Sequence, residues 1–162
     1  MPLLGFFAEQ ILPRLSFNRM LDSIIGPVEI EYTLDLLLAV ALGFAIGAER
    51  ESRGKDAGIS THTLVIVGAM LFTFMSMTVD PASKSRIAAQ IVSGIGFLGA
   101  GLIIKEGASV KNLTTAASLW AAGAIGMAIG FGYSAIATVS TLAMLVIPRI
   151  PHLGKSKEKF ES

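Results

Sequence analysis

Charge in this chain is gathered into clusters, and the stretches between the clusters are long and apolar. No Asp, Glu, Lys or Arg occurs between Asp35 and Glu49, between Asp56 and Asp80, between Arg86 and Lys105, or between Lys111 and Arg149. An ionised side chain at the centre of a bilayer costs about 2.5–3.5 kcal/mol or more, so clusters separated by uncharged runs are what a membrane selects. Of the 162 residues only 15% are charged and 52% are hydrophobic. A soluble domain carries about 25% charged residues. The expected fold class is all-α, a transmembrane helical bundle of about five spans.

Three regions follow. Residues 1–30 read as an amphipathic N-terminal segment lying on the membrane and a connector, punctuated by Pro13 and by Gly26-Pro27. Residues 31–149 hold the five-helix transmembrane domain. Residues 150–162 form a short basic cytoplasmic tail. Its Lys155, Lys157 and Lys159 are diluted by Glu158 and Glu161, which suits a membrane-surface terminus and not a nucleic-acid site. With no cysteine there is no disulfide framework, no thiolate nucleophile and no sulfur metal site.

The expected spans are 33–48, 60–79, 86–104, 113–130 and 134–147. Gly43 and Gly47 are four apart and offer a bare face for close helix contact, as do Gly126 and Gly130. The third span carries Gly94, Gly96, Gly99 and Gly101. Glycine in a helix interior costs about 1 kcal/mol relative to alanine, and the expected return is backbone approach at the centre of the bundle. Lys105-Glu106-Gly107 ends that span. Basic residues set the orientation. With the N-terminus outside, nine Lys and Arg fall on the inner side and four on the outer (Arg14, Arg19, Lys84 and Arg86). The chain is therefore expected in the cell (inner) membrane as a multi-pass protein, N-terminus outside and C-terminus cytoplasmic.

Four motifs carry a family resemblance: GAER at 47–50, AGISTHTLV at 57–65, the sixteen residues RIAAQIVSGIGFLGAG at 86–101, and LTTAASLW at 113–120. Through them the chain resembles the MgtC/SapB family of inner-membrane proteins over roughly residues 34–148. The resemblance implies a five-helix membrane domain with its N-terminus outside. It also implies a part in magnesium homeostasis and in survival inside macrophages, without magnesium transport by the protein itself. At least one member restrains the proton-driven ATP synthase by binding its membrane sector. Against the founding members, the chain is expected to lack their soluble C-terminal domain and to carry an extended N-terminal segment, so functions resting on that domain are not carried over.

Glu49, Arg50 and Arg53 form a charged group at the end of the first span, and Glu49 and Arg53 are spaced to pair on a continuing helix. They read as a site for an ion or a partner, with a snorkelling helix end as the simpler alternative. Arg86, Gln90 and Ser93 lie near one arc of the third span and are expected to line a polar cleft. Asn112, Thr114 and Thr115 offer oxygens or caps at the start of the fourth. His62 reads as a surface residue beside Thr61 acting as N-cap. Magnesium sites generally need carboxylates. Asp35 and Glu49 stand at opposite ends of the first span, so no metal site and no cofactor is expected.

No catalytic set is present, and an enzyme is not expected. Gly94-x-Gly96-x-x-Gly99 imitates a dinucleotide fingerprint but lies inside an apolar run without a preceding strand. The expected partners are membrane lipids, an integral membrane protein and a second copy of the chain, with no nucleic acid. A regulatory protein acting through a membrane partner is favoured over a small ion or solute transporter, because polar lining is sparse for a conducting path.

Overall fold

A computed structural model describes residues 26–79 and 82–150. In chain order it contains α1 (Pro27–Ser52), α2 (Ile59–Val79), α3 (Arg86–Leu102), the strands β1 (Ile104–Glu106) and β2 (Ser109–Lys111), α4 (Leu113–Gly130) and α5 (Ser134–Val146). A 3-10 turn, Ile147–Arg149, follows α5. The amphipathic reading of the N-terminal segment falls outside the described residues up to position 25. So do Asp80, Pro81 and the tail from 151. The chain divides into two compact units, 1–37 and 38–162, with the division inside α1.

In the first unit, helix begins at Pro27, several residues before the expected 33. Proline suits the first helical position because its missing N–H has no intrahelical partner there. Glu29 reaches back so that the Gly26 N–H donates to its Oε2 at 2.9 Å, the reciprocal half of a capping box. The first helical bond, Ile30 N–H to the Gly26 carbonyl, follows at 3.2 Å. Residues 27–30 are thus the opening turn of a helix, and the connector read over 1–30 is corrected to that extent.

Among the described residues there are five α-helices, the expected number of spans, but their lengths single out three. α1, α2 and α4 have 26, 21 and 18 residues and are long and apolar enough to cross a membrane. α3 has 17 residues and α5 has 13. At 1.5 Å per residue these rise about 25 and 20 Å; α3 is one residue shorter than α4, at the bottom of the range that spans a bilayer, and α5 falls below it. A short antiparallel hairpin, which the sequence reading did not include, follows α3. Ile104 pairs with Lys111 and Glu106 with Ser109, across a turn in which Gly107 takes φ 59°.

In the second unit, α4 packs against α2, α3 and α5. Small residues allow it. A Cβ at Gly126 would strike the Ile66 carbonyl and Ala69, and one at Gly130 the Met70 carbonyl and Thr73. Gly43 and Gly47 of α1 likewise lie against the backbone of Thr63 and Ile59 at the start of α2. Gly99 meets Ala116 at an ordinary 3.6 Å, whereas Gly94, Gly96 and Gly101 have nothing within 4 Å of where a Cβ would stand. The close approach expected at the glycine-rich third span is therefore corrected for these three. Most of that helix's glycine makes no close contact, and the close contacts are made by α1 and α4.

Ala69, Ala88, Ile91 and Ile95 form an apolar core flanked by Val65, Met127 and Phe131. Ser76 ties α2 to the next connection, donating to the Lys84 carbonyl at 2.6 Å and accepting the Ala88 N–H at 3.3 Å. Large apolar side chains point away from this core: Phe97 is 81% exposed and Leu64 70%. In water such an outward surface would be a liability; facing lipid it is not.

Candidate functional site: a buried polar layer at one end of the helices

Polar residues converge where α1 ends, α2 and α4 begin and α5 finishes. The turn after α1 brings its last residues back beside α2. The Gly54 N–H donates to the Glu51 carbonyl at 2.9 Å and the Lys55 N–H to the Arg50 carbonyl at 3.1 Å, with Gly54 at φ 62°. Glu51 then folds over the start of α2 and accepts the Ile59 N–H at 2.9 Å. A carboxylate at a helix N-terminus satisfies an orphan donor and complements the dipole. Glu51 is thus the recorded cap of α2, in place of the expected Thr61, which is exposed.

Glu49 and Arg50 are both buried, at 8% and 2% exposure. Arg53 Nη1 donates to Glu49 Oε1 at 3.2 Å and to the Pro148 carbonyl at 2.7 Å, so one guanidinium links the end of α1 to the turn after α5. The pair follows from the four-residue spacing. Glu49 Oε2 and the Nε and Nη2 of Arg50 are buried with no hydrogen-bond partner. A buried charged group left without its hydrogen bonds costs several kcal/mol.

His62 is fully buried, correcting the expectation of a surface residue. Its Nδ1 lies 3.0 Å from the Gly58 carbonyl and its Nε2 3.1 Å from Ser118 Oγ on α4. A carbonyl only accepts, so Nδ1 carries a proton. Ser118 in turn donates to the Thr115 carbonyl at 2.8 Å. While its single hydroxyl proton is so used, Nε2 must donate to Ser118. If His62 is neutral, Ser118 must release Thr115 and donate to Nε2. Thr63 Oγ1 and Thr115 Oγ1 are also buried without partners.

The structure thus gathers Glu49, Arg50, Arg53, Thr114 and Thr115 at one end, with Asn112 preceding α4. Asn112 stands at the N-cap position with φ 63°, but its side chain makes no capping bond. Arg86, Gln90 and Ser93 are not brought to this layer. They lie on the first two turns of α3 and are exposed. Gln90 borders an apolar groove of about 530 Å³ between α2 and α3 with Gly68, Phe72, Gly94 and Leu98, and neither Arg86 nor Ser93 lines it. The expected polar cleft is corrected to an apolar groove with one amide on its wall. His62 and Ser118 were missed as functional candidates. The signal available was their presence inside AGISTHTLV and LTTAASLW, since neither motif needs a histidine or serine for helix packing.

A second cavity, also about 530 Å³, opens on the polar layer and is lined by Arg50, Arg53, Lys55, Thr114 and Ser118 together with apolar residues of α1, α4 and α5. Among the described residues no group of three His, Cys, Asp or Glu is placed to hold a metal ion.

The model of the MgtC family matches residues 36–152. Protein MgtC of Salmonella typhimurium (strain LT2) is 52% identical over 114 residues, covering 70% of this chain and 49% of that protein. Protein MgtC of Brucella abortus (strain 2308) is 49% identical over 110 residues, 67% of this chain and 46% of that protein. The chain spans about half the length of the curated relatives it matches. No solved structure matches it.

Proposed function

Because the chain belongs to the MgtC family, we propose that it is a non-enzymatic regulator that acts through an integral membrane partner in adaptation to magnesium limitation. The partner suggested by the family resemblance is the membrane sector of the proton-driven ATP synthase. The observation that carries this reading is the groove between α2 and α3. Its floor includes Gly68 and Gly94, where a Cβ would meet nothing, and Gly96 and Gly101 on the same helix are equally open. Small residues let helix backbones approach closely in lipid, and these four are not used by the chain's own packing. Gln90 beside them supplies an amide that a partner helix can hydrogen-bond.

Five spans with the N-terminus outside are part of this proposal, supported by the basic-residue balance. Crosslinking in native membranes, with detection of the ATP synthase membrane subunits by mass spectrometry, tests it. Gly94→Leu and Gly68→Leu should abolish the capture while leaving the protein folded. Capture of nothing but further copies of the chain would refute the regulatory reading.

The buried Glu49 and Arg50 atoms without partners favour a second reading, a small ion or solute transporter with this layer on its path. Flux into liposomes that slows on Glu49→Gln would support it. Flux equal to that of empty vesicles over a broad ion panel would end it.

A further inference from the structure

Arg50 is the most demanding residue in the molecule. It is 2% exposed, its Nε and Nη2 have no hydrogen-bond partner, and it lines the cavity at the end of α1. Arg53 and Lys55 line the same cavity. The carboxylate engaged there, Glu49 Oε1, is taken by Arg53, and Glu51 is turned to the start of α2. Arg50, Arg53 and Lys55 thus all line the cavity, and no carboxylate is among its lining residues.

The first two turns of α4 contribute Thr114 and Ser118 to the lining. No side chain caps the N-terminus of this helix, and uncapped helix starts attract anions through their free N–H groups. A planar guanidinium matches a phosphate or carboxylate best, and Arg50 is part of the cavity lining. Much of the remaining lining is apolar, including Ile46, Ala121, Met144 and Ile147, so the cavity suits an anion attached to a hydrocarbon tail better than a fully hydrated ion.

We infer that this cavity binds a phosphate-bearing anion at Arg50, Arg53 and Lys55, supplied in the membrane by the headgroup of an anionic phospholipid whose acyl chain lies along the apolar lining. The site lies at the Glu49 end of the second unit and does not depend on the groove between α2 and α3 or on any partner there. An anionic headgroup supplies acceptors to Arg50, and the neighbouring turn from 53 to 58 is then held in place by the lipid.

Native mass spectrometry of the full chain in detergent, with phosphatidylglycerol and phosphatidylcholine added in equal amounts, tests this. A preference of about tenfold for phosphatidylglycerol is expected, falling to parity in Arg50→Gln. Lys55→Gln, on the exposed rim, should reduce the preference several-fold without affecting folding, and it decides the matter if Arg50→Gln does not fold. Inorganic phosphate is the second arm: a raised melting temperature in the wild type but not in the variants would support the same site with free phosphate as its source. Equal binding of both lipids with no effect of phosphate overturns the inference. So does a lipid preference that both variants retain.

Discussion

His62 Nε2 stands 3.1 Å from Ser118 Oγ, joining α2 to α4 across 56 positions of sequence, with the imidazole fully buried and the serine half-buried. The imidazole has no access to solvent, so removing the Ser118 hydroxyl leaves it short of a partner. His62→Ala is expected to lower stability by about 3 kcal/mol, combining a cavity with lost hydrogen bonds. Ser118→Ala should lower it by about 1 kcal/mol. The two effects should couple by about 1 kcal/mol in a double-mutant cycle read by unfolding in detergent. Strict additivity would mean that the contact contributes nothing.

The glycines divide into two classes that substitution should separate. Gly126→Leu and Gly43→Leu place side chains into the backbone of Ile66 and Thr63, and neither backbone can yield. Both variants should fail to reach the folded form in detergent. Gly96→Ala and Gly101→Ala meet open space and should raise stability by up to about 1 kcal/mol through helix propensity. Melting temperatures of the four variants check this. A destabilised Gly96→Ala would show that α3 is packed against something in the purified form.

The sequence made the helices legible because lipid exposure and charge segregation leave a strong linear signal. Gly43, Gly47, Gly126 and Gly130 were legible as contact sites from spacing alone. What spacing could not give was direction. The glycines of α3 occupy the same kind of pattern, yet Gly94, Gly96 and Gly101 make no close contact with a neighbouring helix, since which face of an apolar helix turns inward depends on partners distant in sequence. The start of α1 was obscured because Glu29 and Glu31 look like interfacial charges, and the capping bond that Glu29 makes to Gly26 is not visible in the sequence. His62 was misplaced for the same reason. Its ring is buried by Ser118 from another helix, and nothing near His62 in the chain announces that.

Glu51 links the turn to α2 by accepting the Ile59 N–H, and a Cβ at Gly58 would collide with that carboxylate side chain. Glu51→Ala should cost about 1 kcal/mol, as loss of a helix cap does. Gly58→Ala should cost a similar amount by displacing Glu51. The double variant should be no worse than the more damaging single one, because both remove the same hydrogen bond. Summed losses in the double variant, measured by thermal unfolding, would assign Gly58 a separate role.

The lengths of α3 and α5 leave a sharp alternative for the membrane topology, and the absence of cysteine allows single-cysteine labelling to decide it. Asp56, Ser109 and Tyr133 are exposed and lie in the turn after α1, in β2 and in the turn before α5. If all five helices cross with the N-terminus outside, Asp56→Cys and Ser109→Cys should react with an impermeant maleimide only from the cytoplasmic side, and Tyr133→Cys only from the outer side. If only α1, α2 and α4 cross, Asp56→Cys is unchanged but the other two exchange sides, because α3 then returns the hairpin to the face from which it came. The basic residues favour the first pattern: Lys105 and Lys111 border the hairpin, whereas the turn at 131–133 carries no charge. Outer-side labelling of Ser109→Cys would reverse this assignment and place the start of α4, with Thr114 and Ser118, on the opposite side of the membrane from the end of α1. Since the structure holds those residues around one cavity with Arg50 and Arg53, that outcome would also require a different packing of the helices, and the five-span pattern is the one expected.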